Sequence, residues 1–407
     1  MSVTPLSGSD AVKLFGAFAL SYFLSALLRS IAATLAPQFS AEFGLSASDL
    51  GLLAGAYFLG FSMLQLPLGS ALDRVGPRRV LLALLSLAVL GCLAFSMATS
   101  LWGLVAARTL TGMGVAAGLM AALTAFRSRF DAPTQLRLNS WMLMTGSLGM
   151  LTSTLPVQWL LPLWGWRGLF AVIALALVVA MAVIARWVPR DTPPPEASAQ
   201  GYGYGGIFSH PLFVRSMPLG FFVYGGMIAV QTLWAGPWLT RVALQSPEQA
   251  AGGLFLINAC MLLAFLTWGL VMPHLSRRGY SARALMSAGL PLSFVLMAYN
   301  VLSEQPVGAA AWAAWCVSCT FINLSQPAIG QAFDAARAGR ALSAFNLVIF
   351  LGVFCLQWLI GLGIDWARAW GLSEPQAFRV ALGSFGVACV LSYLWYLRPP
   401  RRWREPE

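Results

Sequence analysis

The alternation of apolar and polar stretches divides the chain into twelve apolar runs. They lie at 12–36, 50–71, 79–99, 101–125, 138–160, 168–187, 214–238, 251–272, 282–302, 309–331, 341–363 and 378–397. Each approaches the roughly 20 residues that an α-helix needs to cross a hydrocarbon core about 30 Å thick. The runs are apolar on all faces. Strands of a membrane barrel would instead alternate apolar and polar over about 10 residues, so a barrel is excluded. The first run is longer than the 7–15 residues, roughly, of a secretory signal, and is read as a helix of the mature protein. The expectation is an all-α membrane protein of twelve transmembrane helices.

The longest polar interruption lies near the middle. Pro189-Arg-Asp-Thr-Pro-Pro-Pro-Glu196 is followed by Gly201-Tyr-Gly-Tyr-Gly-Gly206, a composition that suits a linker and not a buried helix. This gives a six-helix bundle over 1–188, a cytoplasmic linker over 189–211 and a second six-helix bundle over 212–407. The two bundles share spacings. Ala36-Pro37 is matched by Gly236-Pro237, and Gly69 by Gly269. Arg137 and Gly149 are spaced as Arg340 and Gly352 are. Pseudo-symmetric halves of this kind place a small-molecule site near the midplane, exposed to each side in turn as the halves rock.

Composition agrees. Hydrophobic residues make up 58% of the chain and charged residues 10%, against about 25% charged in soluble domains. The net charge of +11 has no soluble domain with which to bind nucleic acid. It fits the excess of Lys and Arg on cytoplasmic loops. With the N-terminus inside, nineteen basic residues fall on one side and four (Arg167, Arg241, Arg368, Arg379) on the other. Both termini are then cytoplasmic. Twenty-four Arg against one Lys points to a bacterial source, hence to the cytoplasmic (inner) membrane. The six cysteines all lie in the runs. Cys316-x-x-Cys319 has metal spacing but no His or second Cys pair nearby, so both are read as buried small residues. His210 and His274 lie near helix ends with no nucleophile–base pair. No enzyme, metal site or cofactor is expected.

Two arginines, Arg29 and Arg108, remain inside the runs. An intramembrane charge is costly and is a functional hypothesis by default. All fourteen acidic residues fall outside the runs or at their ends, Asp365 being the nearest. An uncompensated pair of guanidinium forks suits a carboxylate or a phosphate ester, so the substrate is expected to be a small organic anion. Helical spacing adds Tyr22, Ala26 and Ala33 on the face of Arg29. It adds Tyr224, Gln231 and Trp234 on the seventh helix, and Trp312, Trp315, Cys319, Asn323 and Gln326 on the tenth. The substrate-binding candidates are therefore Arg29, Arg108, Tyr22, Tyr224, Gln231, Trp234, Asn323 and Gln326.

The loop after the second run reads Gly69-Ser-Ala-Leu-Asp73-Arg74-Val-Gly76-Pro77-Arg78-Arg79. It resembles the signature Gly-x-x-x-Asp-Arg/Lys-x-Gly-x-Arg-Arg/Lys of the major facilitator superfamily. A degraded copy, Gly269 to Gly279, has Pro273 in place of the Asp. Arg108-x-x-x-Gly112-x-Gly114 and Trp166-Arg167-x-x-Phe170 are also similar to family patterns. The resemblance implies two six-helix bundles working by alternating access as a monomer in the bilayer, with the first, fourth, seventh and tenth helices lining the cavity. It implies a gate at Gly69, Asp73, Arg74, Gly76 and Arg78, in which Asp73 pairs with the start of the eleventh helix or with Arg127 or Arg129. The Arg in the first helix resembles the organic-anion branches, including sialin-like symporters. Leu28 and Val115 stand where those carry acids, which leaves proton coupling, anion exchange and uniport open. Two further readings stay open. One is a drug or metabolite efflux antiporter, whose fifth-helix Gly-Pro motif is incomplete here (Gly146-x-x-Gly149, with Pro156 distant). The other is a non-transporting sensor.

Overall fold

The computed structural model describes residues 8–190 and 204–398, and these are helical with short connections. In chain order the helices are α1 (Gly8–Phe43), α2 (Ala47–Met63 and Gln65–Val75), α3 (Pro77–Met97), α4 (Leu101–Arg127), α5 (Ala132–Thr152) and α6 (Leu155–Trp187). After the linker come α7 (Pro211–Val242), α8 (Pro247–Arg277), α9 (Ala282–Leu302), α10 (309–331), α11 (Ala335–Ala369) and α12 (Glu374–Leu397). Among the described residues nine helices are each long and apolar enough to cross a membrane, and α2, bent by 45°, makes a tenth. Of the other two, α5 opens with the polar Gln135, Arg137 and Asn139, and α10 is interrupted by a tight 3-10 stretch at Thr320–Leu324. The protein is an all-α, multi-pass membrane protein.

Three departures from the sequence reading have local causes. The fifth run was expected to continue to 160, but α5 ends at Thr152. Ser153 and Thr154 turn the chain, and Pro156 sits in the first turn of α6, where its missing N–H costs nothing. The expected start of the sixth helix at 168 is extended back to 155 across a kink at Gly165, whose φ is 61°. The linker falls mostly on 191–203, outside the described residues. Its described end, 204–210, is packed: a short helix, Gly205–Phe208, buries Ile207, and the Tyr204 hydroxyl donates to the Leu66 carbonyl at 2.9 Å.

The first six helices meet the last six mainly through α2 against α11, α1 against α7 and α5 against α8. The α2–α11 contact depends on glycine. A β-carbon on Gly51 would run into the Gln357 carbonyl, and one on Gly361 into the Ala47 carbonyl, so small residues set the helix separation. The Gly69–Arg79 loop marks one face of the bundle. At the opposite face α2 and α11 are also joined by charge. The Asp365 carboxylate accepts from the Ala47 N–H at 3.0 Å and the Ser48 N–H at 2.8 Å, the positive end of α2. Beside it Arg241 of α7 donates to Ser40 Oγ of α1 at 2.8 Å and approaches Glu374 at 3.5 Å. Trp166 and Arg167 of α6 both donate to Glu42 at the end of α1, at 2.6 and 2.5 Å. Apolar stripes such as Leu175 and Val179 on α6, Leu292 and Val295 on α9, and Leu391 and Leu394 on α12 point outward, as lipid contact requires.

Candidate functional site

Arg29 sits where the halves meet. Its guanidinium carbon lies 5.6 Å from the ring centroid of Phe61 on α2 and 5.6 Å from that of Phe350 on α11. The two rings touch, with centroids 4.5 Å apart. Tyr22, Tyr57 and Tyr224 are its electrostatic neighbours, so α1, α2, α7 and α11 all contribute. Arg29 is half-buried and its Nε has no hydrogen-bond partner. No ion pair neutralises it among the described residues. Tyr57 and Tyr22 also hydrogen-bond to the guanidinium, while the ring faces stabilise the cation without occupying its N–H donors and Nε stays unpartnered.

Arg108 has a different setting. It is 2% exposed, and neither terminal nitrogen has a hydrogen-bond partner. Its guanidinium lies 5.2 Å from the Tyr57 ring centroid, and Cys92 of α3 is an electrostatic neighbour. Tyr57 donates to the Ser25 carbonyl at 3.1 Å. Tyr57 therefore lies against Arg108 on its ring face and interacts with Arg29 as well. The two arginines are linked through one tyrosine and do not share an open chamber in this conformation.

The other candidates divide. Tyr22 and Tyr224 join the Arg29 site. Gln231 is buried and donates to Asn258 of α8 at 3.0 Å. Trp234, 1% exposed, donates to the Gln357 carbonyl of α11 at 3.2 Å and packs edge-on against Phe378. The α7 stripe is thus dispersed, because π-helical turns at Gly220–Tyr224, Val230–Trp234 and Trp238–Val242 break the 3.6-residue repeat. On α10, Asn323 holds both side-chain polar atoms buried and unpartnered, while Gln326 donates to Asn346 of α11 at 3.0 Å. Asn346 lies one helical turn from Phe350, so Gln326 is tied to the wall that Arg29 faces.

In the loop, Gly76 has φ 96° and ends α2, a conformation left to glycine. A β-carbon on Gly69 would meet Ser343 of α11 at 3.9 Å, ordinary contact. Asp73 lies 3.8 Å from Arg127, both exposed. The helix 11 start is capped by its own Asp334, which accepts from the Arg337 N–H at 2.9 Å. Arg78 donates to the Ala185 carbonyl at the end of α6 at 2.6 Å. Arg74 lies in the last turn of α2.

Phe61, Phe350, Tyr57 and Asn346 were not singled out in the sequence. A phenylalanine in an apolar run carries no signal. Tyr57 carried one, since a phenol inside the membrane needs a hydrogen-bond partner.

The first six and last six helices thus meet around a guanidinium that both sets contact. The chain belongs to the Major Facilitator Superfamily, whose pattern it matches over residues 18–355. It is 31% identical to the 4-hydroxybenzoate transporter PcaK of Acinetobacter baylyi over 159 residues, 39% of this chain and 34% of that protein. It is 34% identical to multidrug resistance protein D of Escherichia coli over 140 residues, 34% of this chain and 35% of that protein. These matches thus span about a third of each relative's length. A longer match, 23% identical over 379 residues, covers 90% of this chain and 80% of the niacin transporter NiaP of A. baylyi. The fold is similar to that of a crystallised D-xylose–proton symporter, with TM-score 0.76 at 15% identity, covering 95% of this chain and 97% of that one.

Proposed function

We propose that this protein carries a small organic anion, an aromatic carboxylate above all, across the bacterial inner membrane by alternating access. The observation that carries the reading is the Arg29 guanidinium, without an acidic partner and set against Phe61 and Phe350 from opposite halves. A carboxylate satisfies the fork in bidentate fashion, and a flat ring attached to it can pack against the aromatic wall that Phe61 and Phe350 form together. The names of two relatives, the 4-hydroxybenzoate and niacin transporters, each denote an aromatic acid, which supports the class. A phosphate ester meets the same fork. Tyr22 and Tyr224 complete the wall. Asn323, with unpaired polar atoms, and the Gln326–Asn346 pair supply hydrogen-bonding groups. Gln231, Trp234 and Arg108 act from behind it. We assign the loop face, with its arginines, to the cytoplasm by the positive-inside rule, which places both termini inside. The closed face is then the outer one. Gly69, Asp73, Arg74, Gly76 and Arg78 form the inner gate of a carrier that works as a monomer and is driven by protons or by an exchange anion.

Export of drugs is the second reading, supported by the match to multidrug resistance protein D. Uptake into proteoliposomes separates the two. Benzoate-type carboxylates, phosphate esters and cationic drugs are presented to the parent and to Arg29→Ala, with and without a pH gradient. Carboxylate uptake that depends on Arg29 is the expected result. Transport of a cationic drug, indifferent to Arg29, would overturn the anion reading.

A further inference from the structure

The ends of α7, α9 and α12 on the loop face gather arginines that transport does not use. Arg215, in the first turns of α7, donates to the Tyr396 carbonyl near the end of α12 at 2.5 Å and lies 5.8 Å from the centroid of the Tyr396 ring. Its Nε is buried and has no partner. Arg283, in the first turn of α9, is an electrostatic neighbour of both Arg215 and Tyr396. Arg398 closes α12 and stacks on Trp395 at 5.1 Å. No acidic residue forms an ion pair with any of the three among the described residues. Arg215 and Arg283 repel one another, so an anion beside them is stabilising, and Arg398 adds a third positive charge at the same end of α12.

The position identifies the anion's source. Arg398 ends the outward apolar stripe of Val387, Leu391 and Leu394 on α12, and Arg283 begins the stripe of Leu292, Val295 and Tyr299 on α9. The arginines therefore stand at the headgroup level, directly beneath surfaces that acyl chains cover. Tyr393 bridges the two helices, donating to the Ser287 carbonyl at 2.6 Å and packing on Phe294. The corresponding corner of the first half, at the ends of α1 and α6, is built differently. There a cleft is lined by Asp10 beside Arg186 and Trp187, and Asp10 already pairs with Lys13 at 3.4 Å. Of these two corners, the α9–α12 one combines basic groups and aromatic shelves with no carboxylate paired to them among the described residues.

We infer that the α9–α12 corner binds the phosphate headgroup of an anionic lipid of the cytoplasmic leaflet through Arg215, Arg283 and Arg398. The site rests on the membrane placement proposed above and is independent of the solute carried, so its test uses binding and not transport. Purified full-length protein is titrated with phosphatidylglycerol, phosphatidylcholine or soluble glycerol phosphate, and bound species are counted by native mass spectrometry. Phosphatidylglycerol is expected to bind preferentially. The exposed pair Arg283→Gln and Arg398→Gln together should weaken it about thirtyfold, at about 1 kcal/mol per basic residue, while Arg186→Gln leaves it unchanged. Equal binding of phosphatidylcholine, glycerol phosphate binding as tightly as the lipid, or a double variant that retains parental affinity would each overturn the site. Unaltered carboxylate uptake in the double variant would leave the lipid site standing, and a failed transport reading would not remove it.

Discussion

Arg29 and Arg108 look equivalent in the sequence: each is a lone cation inside an apolar helix of the first half. Their surroundings differ. Arg29 is half-buried and faces rings from both halves, so anything bound to it senses how the halves stand. Arg108 is 2% exposed and lies behind Tyr57, wholly within the first half. On the reading proposed above, an intramembrane charge is therefore not by itself a ligand site. What decides is whether the neighbouring helix leaves the guanidinium fork facing the seam between halves.

This contrast predicts opposite outcomes for removing the two charges. Arg29→Ala should lower the apparent affinity for a carboxylate about a hundredfold, since two charge-assisted hydrogen bonds together contribute about 3 kcal/mol. Equilibrium binding of the labelled anion checks it. Arg108→Met should instead change that affinity by less than about threefold and raise the thermal unfolding midpoint. An apolar side chain of similar volume in place of an unsatisfied buried charge is often stabilising by about 1–4 kcal/mol. A large affinity loss in Arg108→Met would collapse the distinction.

Smaller effects sharpen it. Asp365→Asn removes the negative charge from the start of α2 and should shift the balance between closed and open outer faces about fivefold, from a charge–helix contribution near 1 kcal/mol. The accessibility of a cysteine introduced at that face to an impermeant reagent reads the shift. Phe350→Leu keeps the apolar volume and loses one ring face, and should weaken anion binding only about threefold, a cation–π contribution of about 0.5–1 kcal/mol. An unchanged affinity in Phe350→Leu would mean that the second half does not read the ligand through this ring.

The helices were legible because membrane insertion writes itself into long apolar runs, and Gly76 was visible as a member of the loop motif. What the halves do to one another was less so. The Phe61–Phe350 pair is hidden among many apolar side chains, and its meaning comes only from the crossing of α2 and α11. Asp365 was visible as the acid nearest a helix end, but its partners are backbone amides more than 300 residues away in sequence, which no side-chain pattern records. The α7 stripe is spread over three neighbours for a geometric reason. Tyr224 reaches the Arg29 site, while Gln231 turns to α8 and Trp234 to α11, because the spacing assumed one uniform helix.

Those wide turns have a mechanical consequence. A π-helical turn holds one residue more than the α-turn it replaces. Three of them in α7 amount to spare chain stored within an intact, hydrogen-bonded rod. Smoothing one into α-helical form would swivel everything beyond it by about 100° and extend the rod by about 1.5 Å, with no helix melted and no loop lengthened. The segment beside Arg29 and the segment sealed against α11 can therefore be re-aimed relative to each other, as two ends of a shaft with play in its couplings.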